Sequence, residues 1–276
     1  EPTVYIRRRA TPGMRPEGGS PQRTPDRAVS ETVSFVLVFA LVVASVGTVY
    51  AVGVSELEAT RDAERVENAQ RAFDVLADNV DDLLDGAPSR GTEVKLAEAT
   101  LRSTDDAAVN VSVRRPDGTE AFSSGTVGLS PLVYDVEAGG AVRLSNGAVL
   151  RDGADGGVTV VRGPPLVADD DRLHLTVLKT EHVGSASVGG DRTVRIRTAA
   201  GRPRLLHDDE SAATDTVFVN LTTPYTGAWA RHYESVGFSC TEAAAPTPNA
   251  PGTVSCRTTG ADRVTVVLLR VTTAFE

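Results

Sequence analysis

Cys240 and Cys256 are the only cysteines, and they stand on either side of a Pro/Ala-rich stretch, Thr241–Thr253. A metal pair would want C-x-x-C spacing or histidines close by. The four histidines (His174, His182, His207 and His232) show no HxxH, HExxH or HxH spacing, and each reads as a surface residue of a strand or helix. The simplest chemistry for the two thiols is a disulfide closing a loop of ~15 residues, worth roughly 3 kcal/mol by chain entropy; two free thiols are the alternative. Acidic clusters occur at Asp169-Asp170-Asp171, at Asp208-Asp209-Glu210 and in DGADGG, which holds Asp152 and Asp155. Carboxylates in turns can hold calcium, but the full EF-hand pattern is missing, and solvated turns of an acidic chain explain them better. There is no G-x-S-x-G, P-loop or G-x-G-x-x-G pattern. The sequence offers no catalytic, cofactor-binding or metal set, so neither an enzyme nor a cofactor is expected. Two N-glycosylation sequons remain, Asn110-Val111-Ser112 and Asn220-Leu221-Thr222, both inside predicted strands, where only a solvent-facing asparagine could be modified.

These residues have to be positioned by elements of three kinds. The 276-residue chain carries 28 Lys plus Arg against 37 Asp plus Glu, a balance that argues against broad nucleic-acid affinity. Lysine is almost absent, with only Lys95 and Lys179, a bias of GC-rich and also of salt-adapted sources. Residues 1–28 hold six arginines, five prolines and no apolar periodicity, which predicts a disordered basic leader. From Val33 to Val54 no residue is charged. At ~1.5 Å per residue these 22 positions span about 33 Å, enough for the ~30 Å hydrocarbon core. Arginines before this run and acids after it orient the span with its N-terminus inside and its C-terminus outside. The helix pattern continues through Glu56–Leu84 without Pro or Gly, and Gly86 and Pro88 then stop it. Val66, Ala69, Phe73, Leu76, Val80 and Leu83 step by three and four, an apolar stripe on a charged helix. That stripe must pack on its own downstream domain or on copies of itself.

Beyond Gly91 the pattern switches to period two. Glu93–Leu101, Val109–Arg115, Val142–Leu144, Val158–Val161, Leu173–Leu178, Val194–Ile196, Val217–Leu221 and Val264–Val271 read as strands. Asp-Gly, Asn-Gly and Gly-Gly dipeptides punctuate them. Pro224–Phe238 places Ala228, Trp229, His232, Tyr233 and Val236 at helical spacing, one short helix with aromatics for the core. The expected organisation is a leader (1–28), one long helix (29–85, membrane-spanning over 33–54 and amphipathic over 56–85) and a β-rich domain (91–276). The fold class is α+β, with a mainly antiparallel, sandwich-like or layered β-domain.

Arg27-Ala28-Val29-Ser30-Glu31 directly before the apolar run resembles the class III signal peptide of archaeal type IV pilins. With the charged helical continuation and the acidic β-rich domain, the chain looks like haloarchaeal pilin-like proteins of undefined role. The resemblance implies that a prepilin peptidase cuts between Ala28 and Val29, leaving the apolar helix in the mature chain. It also implies a role for Glu31 in assembly, with its carboxylate at the helix start meeting a neighbour's new amino group. The expected partners are then the lipid bilayer, the peptidase, and copies of this chain or other pilins through the N-terminal helix. The expected function is that of a membrane-anchored, outward-facing pilin-like protein able to join a surface filament. An uncleaved single-pass protein whose extracellular β-domain binds a ligand is the competing expectation.

Overall fold

The computed structural model describes residues 26–276 except 138–139, 154–155, 170 and 244–249, with side chains from Thr32 onward. Residues 1–25 of the expected leader, Asp155, Asp170 and part of the Pro/Ala loop therefore lie outside the described residues.

One helix, α1 (Asp26–Leu84), runs from before the apolar segment to the Gly86 stop. Leu84 is followed by Gly86 at φ 102°, a left-handed conformation that glycine adopts without penalty. The chain divides into two compact units inside this helix, after Ser55. In the first unit the apolar side chains stay exposed: Phe35 is 71% exposed even with its ring stacked on Phe39, Leu41 66% and Val49 73%. Three hydroxyls of this segment turn back onto the helix itself. Ser45, Thr48 and Ser55 donate to the carbonyls of Val42, Ala44 and Ala51 at 2.9–3.0 Å, so they are satisfied without water.

The second unit, Glu56–Glu276, is built from the rest of α1, three six-stranded sheets and a short helix, α2 (Thr226–Ser235). The first sheet has the order β1 (Ser89–Lys95), β13 (Thr193–Ala200), β18 (Arg263–Phe275), β11 (Arg172–Val183), β10 (Leu166–Ala168), with β14 (Arg204–Asp209) also on β18. The second runs β12 (Ser187–Gly189), β2 (Thr100–Ser103), β6 (Leu132–Val136), β7 (Gly140–Ser145), β8 (Ala148–Gly153), β9 (Val158–Arg162). The third runs β16 (Ser239–Ala243), β17 (Gly252–Thr259), β15 (Thr216–Thr223), β3 (Ala107–Arg114), β4 (Glu120–Ser123), with β5 (Val127–Leu129) also on β3. The fold class is thus α+β, as expected. Among the described residues pairing is antiparallel except for one pair, β11 with β18, which run parallel from Arg172/Arg263 to Val183/Ala274.

That parallel pair lies between two cores. Leu173, Leu175 and Val177 with Val264, Val266 and Leu268 pack against β3, β15, β17 and α2. One residue further along, Leu178, Leu269 and Val271 face the other way, into a core shared with α1 and the second sheet. Burial therefore alternates along β18 but changes face at Leu268–Leu269, where two apolar residues in a row each enter a different core. The α1 stripe lies in this second core: Val66, Ala69, Phe73, Leu76, Val80 and Leu83 are each no more than 3% exposed. The choice left open by the stripe is decided here, because it packs on its own domain.

Three expectations need correction. Glu93–Leu101 is two strands, β1 and β2, broken where Ala97 (φ 48°) and Glu98 (φ 74°) enter the left-handed region. Leu96 just before the break is fully buried, and Tyr134 Oη donates to its carbonyl at 2.7 Å; Arg65 reaches the exposed Glu98 carboxylate at 2.8 Å. These contacts offset a conformation costing roughly 1–2 kcal/mol per residue. The stretch Thr241–Thr253 is not all loop, since β16 extends to Ala243 and β17 begins at Gly252. The third correction is that helix α1 begins at Asp26, so it includes the last residues assigned to the leader.

Candidate functional site

Ala28, Val29 and Glu31 fall within the first turns of α1, and their side chains lie outside the described residues. Immediately after them comes the feature with the clearest physical consequence. Within Thr32–Leu84, α1 contains a stretch long and apolar enough to cross a membrane, and none of that window is buried.

The third sheet brings together residues that are far apart in sequence. Alternate residues of β15 face the core (Val217, Val219, Leu221), which sends Thr216, Phe218, Asn220 and Thr222 to the opposite face. On β3, next to it, Val109, Val111 and Val113 point inward, leaving Ala108, Asn110, Ser112 and Arg114 on that same outer face. The register sets Asn220 directly opposite Asn110, and Phe218 opposite Ser112. The two sequons, 110 residues apart, therefore form one cross-strand pair. Ser255 Oγ donates to Asn220 Oδ1 at 2.6 Å, whereas Asn110 Nδ2 donates to Ser123 Oγ at 3.2 Å. Arg114 lies over the Phe218 ring, 5.3 Å from its centroid.

At the edge of this sheet Cys240 and Cys256 are directly paired across β16 and β17 and are joined by a disulfide. The bond thus ties an edge strand to its neighbour, with Cys256 fully buried in the core beside α2. The histidines are dispersed. His174 sits 3.4 Å from Thr176 Oγ1, and His182 lies between Thr273 Oγ1 (3.1 Å) and the Ser185 carbonyl (2.9 Å). His207 stacks on Phe122, and His232 sits half-buried against Trp229 and Tyr233. Burial alone pulls the His232 pKa below its ordinary value, because nothing offsets the cost of charging the ring there. Among the described residues no three His, Cys, Asp or Glu side chains converge as a metal site. Of the acidic clusters, Asp208 serves an ion pair: Arg263 holds it at 2.7 Å and Thr265 Oγ1 donates to it at 2.9 Å, which together keep its pKa low.

Two charged arrangements carried no signal in the sequence. Arg143, 4% exposed, makes a two-pronged contact with Asp106 (2.7 and 2.8 Å) and lies 5.1 Å from the centroid of Tyr225. Burial by itself would raise the Asp106 pKa, but hydrogen bonds and charge from Arg143, with a hydrogen bond from Thr104, hold it below the ordinary carboxylate range. Arg143 comes from β7 and Asp106 from the turn before β3, so this pair joins the second sheet to the third. Arg162, at the end of β9, reaches α1, where it bonds Asp78 and Asp81 and donates to the Asp74 carbonyl at 3.2 Å. Only the fold brings these partners within reach, since more than 30 residues separate each pair. Beside this clamp an open cleft of about 570 Å³ is lined by Asp81 and Leu84 of α1, by Asp85 just after it, by Pro164 and Pro165, and by His174. These groups make no constellation of nucleophile, base and oxyanion donors.

A search of curated proteins finds no match to this chain. A family model described as a family of unknown function, DUF7289, matches residues 27–274, from the arginine before the apolar helix to the end of β18. With the match extending over both the helix and the β-domain, the chain belongs to the DUF7289 family.

Proposed function

We propose that this protein is a non-catalytic, membrane-anchored, outward-facing pilin-like structural protein. On this reading a prepilin peptidase cuts between Ala28 and Val29, and the apolar part of α1 then resides in the lipid bilayer or packs against copies of itself or other pilins in a type IV pilus-like filament. One observation supports this best: the two halves of one helix differ in what covers them. The stripe from Val66 to Leu83 is buried in the chain's own domain, whereas the Val, Leu and Phe side chains from Val33 to Val52 are half or more exposed. Leaving so many large apolar side chains in water costs on the order of 20 kcal/mol, so they require a partner, lipid or protein. A disulfide in the β-domain fits an oxidising location outside the cell.

Peptide mapping of the protein from its membrane fraction tests the proposal. A mature chain beginning at Val29 supports it, and residues 1–28 still attached to the membrane-bound protein would show an ordinary anchor. Glu31→Ala is expected to reduce filament assembly while leaving membrane insertion intact; unchanged assembly would remove Glu31 from the mechanism.

A further inference from the structure

We propose that the outer face of the third sheet carries one N-linked glycan, on Asn220, and that its cross-strand partner Asn110 stays unmodified. This rests on the proposed function only in placing the β-domain outside the cell, where a glycan-transferring enzyme acts.

Directly opposed residues on antiparallel strands have their Cβ atoms ~4.5–5.5 Å apart and their side chains on one face. Asn110 and Asn220 stand in that relation. A pyranose ring with its substituents is wider than this spacing, so a sugar on one asparagine covers the other. The two sequons therefore compete for one site, which the sequence, with 110 residues between them, does not reveal.

Two observations favour Asn220. Ser255 engages its Oδ1 and so fixes the amide, while Nδ2, the atom that takes the sugar, makes no hydrogen bond among the described residues. Asn110 has its Nδ2 engaged instead, donating to Ser123 Oγ. The second observation concerns the hydroxyl two residues on, which the transferring enzyme must also read. Thr222 is half-buried, whereas Ser112 is buried, 5% exposed. Period-two alternation places each hydroxyl on the same face as its asparagine.

The step requires a lipid-phosphate-linked saccharide as donor. Asn220 Nδ2 bonds to the anomeric carbon, and the bond between that carbon and the phosphate oxygen breaks. The lipid phosphate leaves with the electron pair, and one Nδ2 proton passes to a base of the transferring enzyme. The glycan then stands on a face that also carries Ser255 and, farther along the strands, Phe218 flanked by Arg114 and Arg257.

The test is intact-mass and glycopeptide analysis of the full chain from its native membranes, with protease treatment of whole cells to locate the β-domain. The expected result is one glycan per chain, on Asn220, retained in N110Q and lost in N220Q. Two glycans on one chain would overturn the exclusion, and a glycan on Asn110 alone would overturn the choice of carrier. An unmodified chain whose domain is cut from outside would overturn the modification. An unmodified chain whose domain is protected would overturn the outward placement on which it rests.

Discussion

Replacing Phe73 by alanine tests whether the α1 stripe belongs to the β-domain. Phe73 is fully buried, in a core formed by α1 with residues of the first and second sheets, among them Ile196, Tyr134 and Leu269. Truncating such a side chain loses its transfer free energy and leaves a cavity that rigid sheets cannot collapse, a cost of about 3–5 kcal/mol. In a domain of this size 1 kcal/mol moves Tm by roughly 2–4 °C, so Phe73→Ala should lower it by about 10 °C. Val75, two residues away and 51% exposed, is the control; Val75→Ala should change stability by less than ~0.5 kcal/mol. The assay is thermal and urea unfolding of the Glu56–Glu276 segment over a hundredfold range of concentration. Intradomain packing makes Tm independent of concentration, whereas a stripe shared between copies makes it rise with concentration by mass action. A loss below ~1 kcal/mol for Phe73→Ala, or a Tm that climbs with concentration, would refute the packing argued above.

Asp106→Asn leaves the buried Arg143 guanidinium without its counter-charge, and about 2–4 kcal/mol of stability should go, with Asp106 itself still partly solvated. Because the folded pKa of Asp106 lies below its unfolded value, its contribution is complete above about pH 4 and fades as pH falls through the folded value; acid titration of stability should show this loss in the wild type and not in the variant. Asn146 has φ 49° and accepts the Leu178 N–H at 2.9 Å through Oδ1, so Asn146→Ala should cost about 2–4 kcal/mol in urea unfolding. Asn146→Gly keeps the backbone conformation free of strain and should cost 1–2 kcal/mol less than the alanine. Cys256→Ser or full reduction should lower stability by about 3 kcal/mol, read as a Tm difference with and without reductant; equal Tm values would show that the bond contributes nothing.

What could be read from the sequence follows the range over which its signals act. Helix α1 was legible because its periodicity, its charge boundary and its Gly86 stop are all local. The strand register was partly legible. Burial alternates along Val217–Leu221 because one face is core, although Phe218 places an apolar ring on the outer face. The parallel pairing of β11 with β18 left no local mark, since the direction of a partner strand about 90 residues away is set by tertiary packing and burial changes face midway along β18. The split at Leu96–Ala99 was hidden for a related reason: two non-glycine residues adopt a left-handed conformation that distant contacts from Tyr134 and Arg65 support. For the candidate site, each sequon was visible alone, but their pairing depends on the register between β3 and β15. The two thiols were visible as well, and the bond joining them lies across a strand pair at the sheet edge.

The domain's use of its own stripe constrains how copies could assemble. With Val66 to Leu83 occupied, the longest run of exposed apolar side chains among the described residues, and so the surface the proposed assembly would use, is Val33 to Val52. Beyond it, the solvent side of α1 presents Glu56, Glu58, Glu64 and Glu67 against Arg61 and Arg71, with Asp78 and Asp82 paired to Arg162 and Arg90. In the proposed assembly each copy joined through its apolar segment would carry this acid-rich surface with it, and repulsion between copies would fall as salt screens it. The Debye length shrinks from about 10 Å at 0.1 M to about 3 Å at 1 M, shorter than the ~8–10 Å between packed helix axes. The proposed assembly through the apolar helix would therefore be favoured at molar salt, where hydrophobic contact would hold the segments together and screened acidic surfaces would no longer push the copies apart.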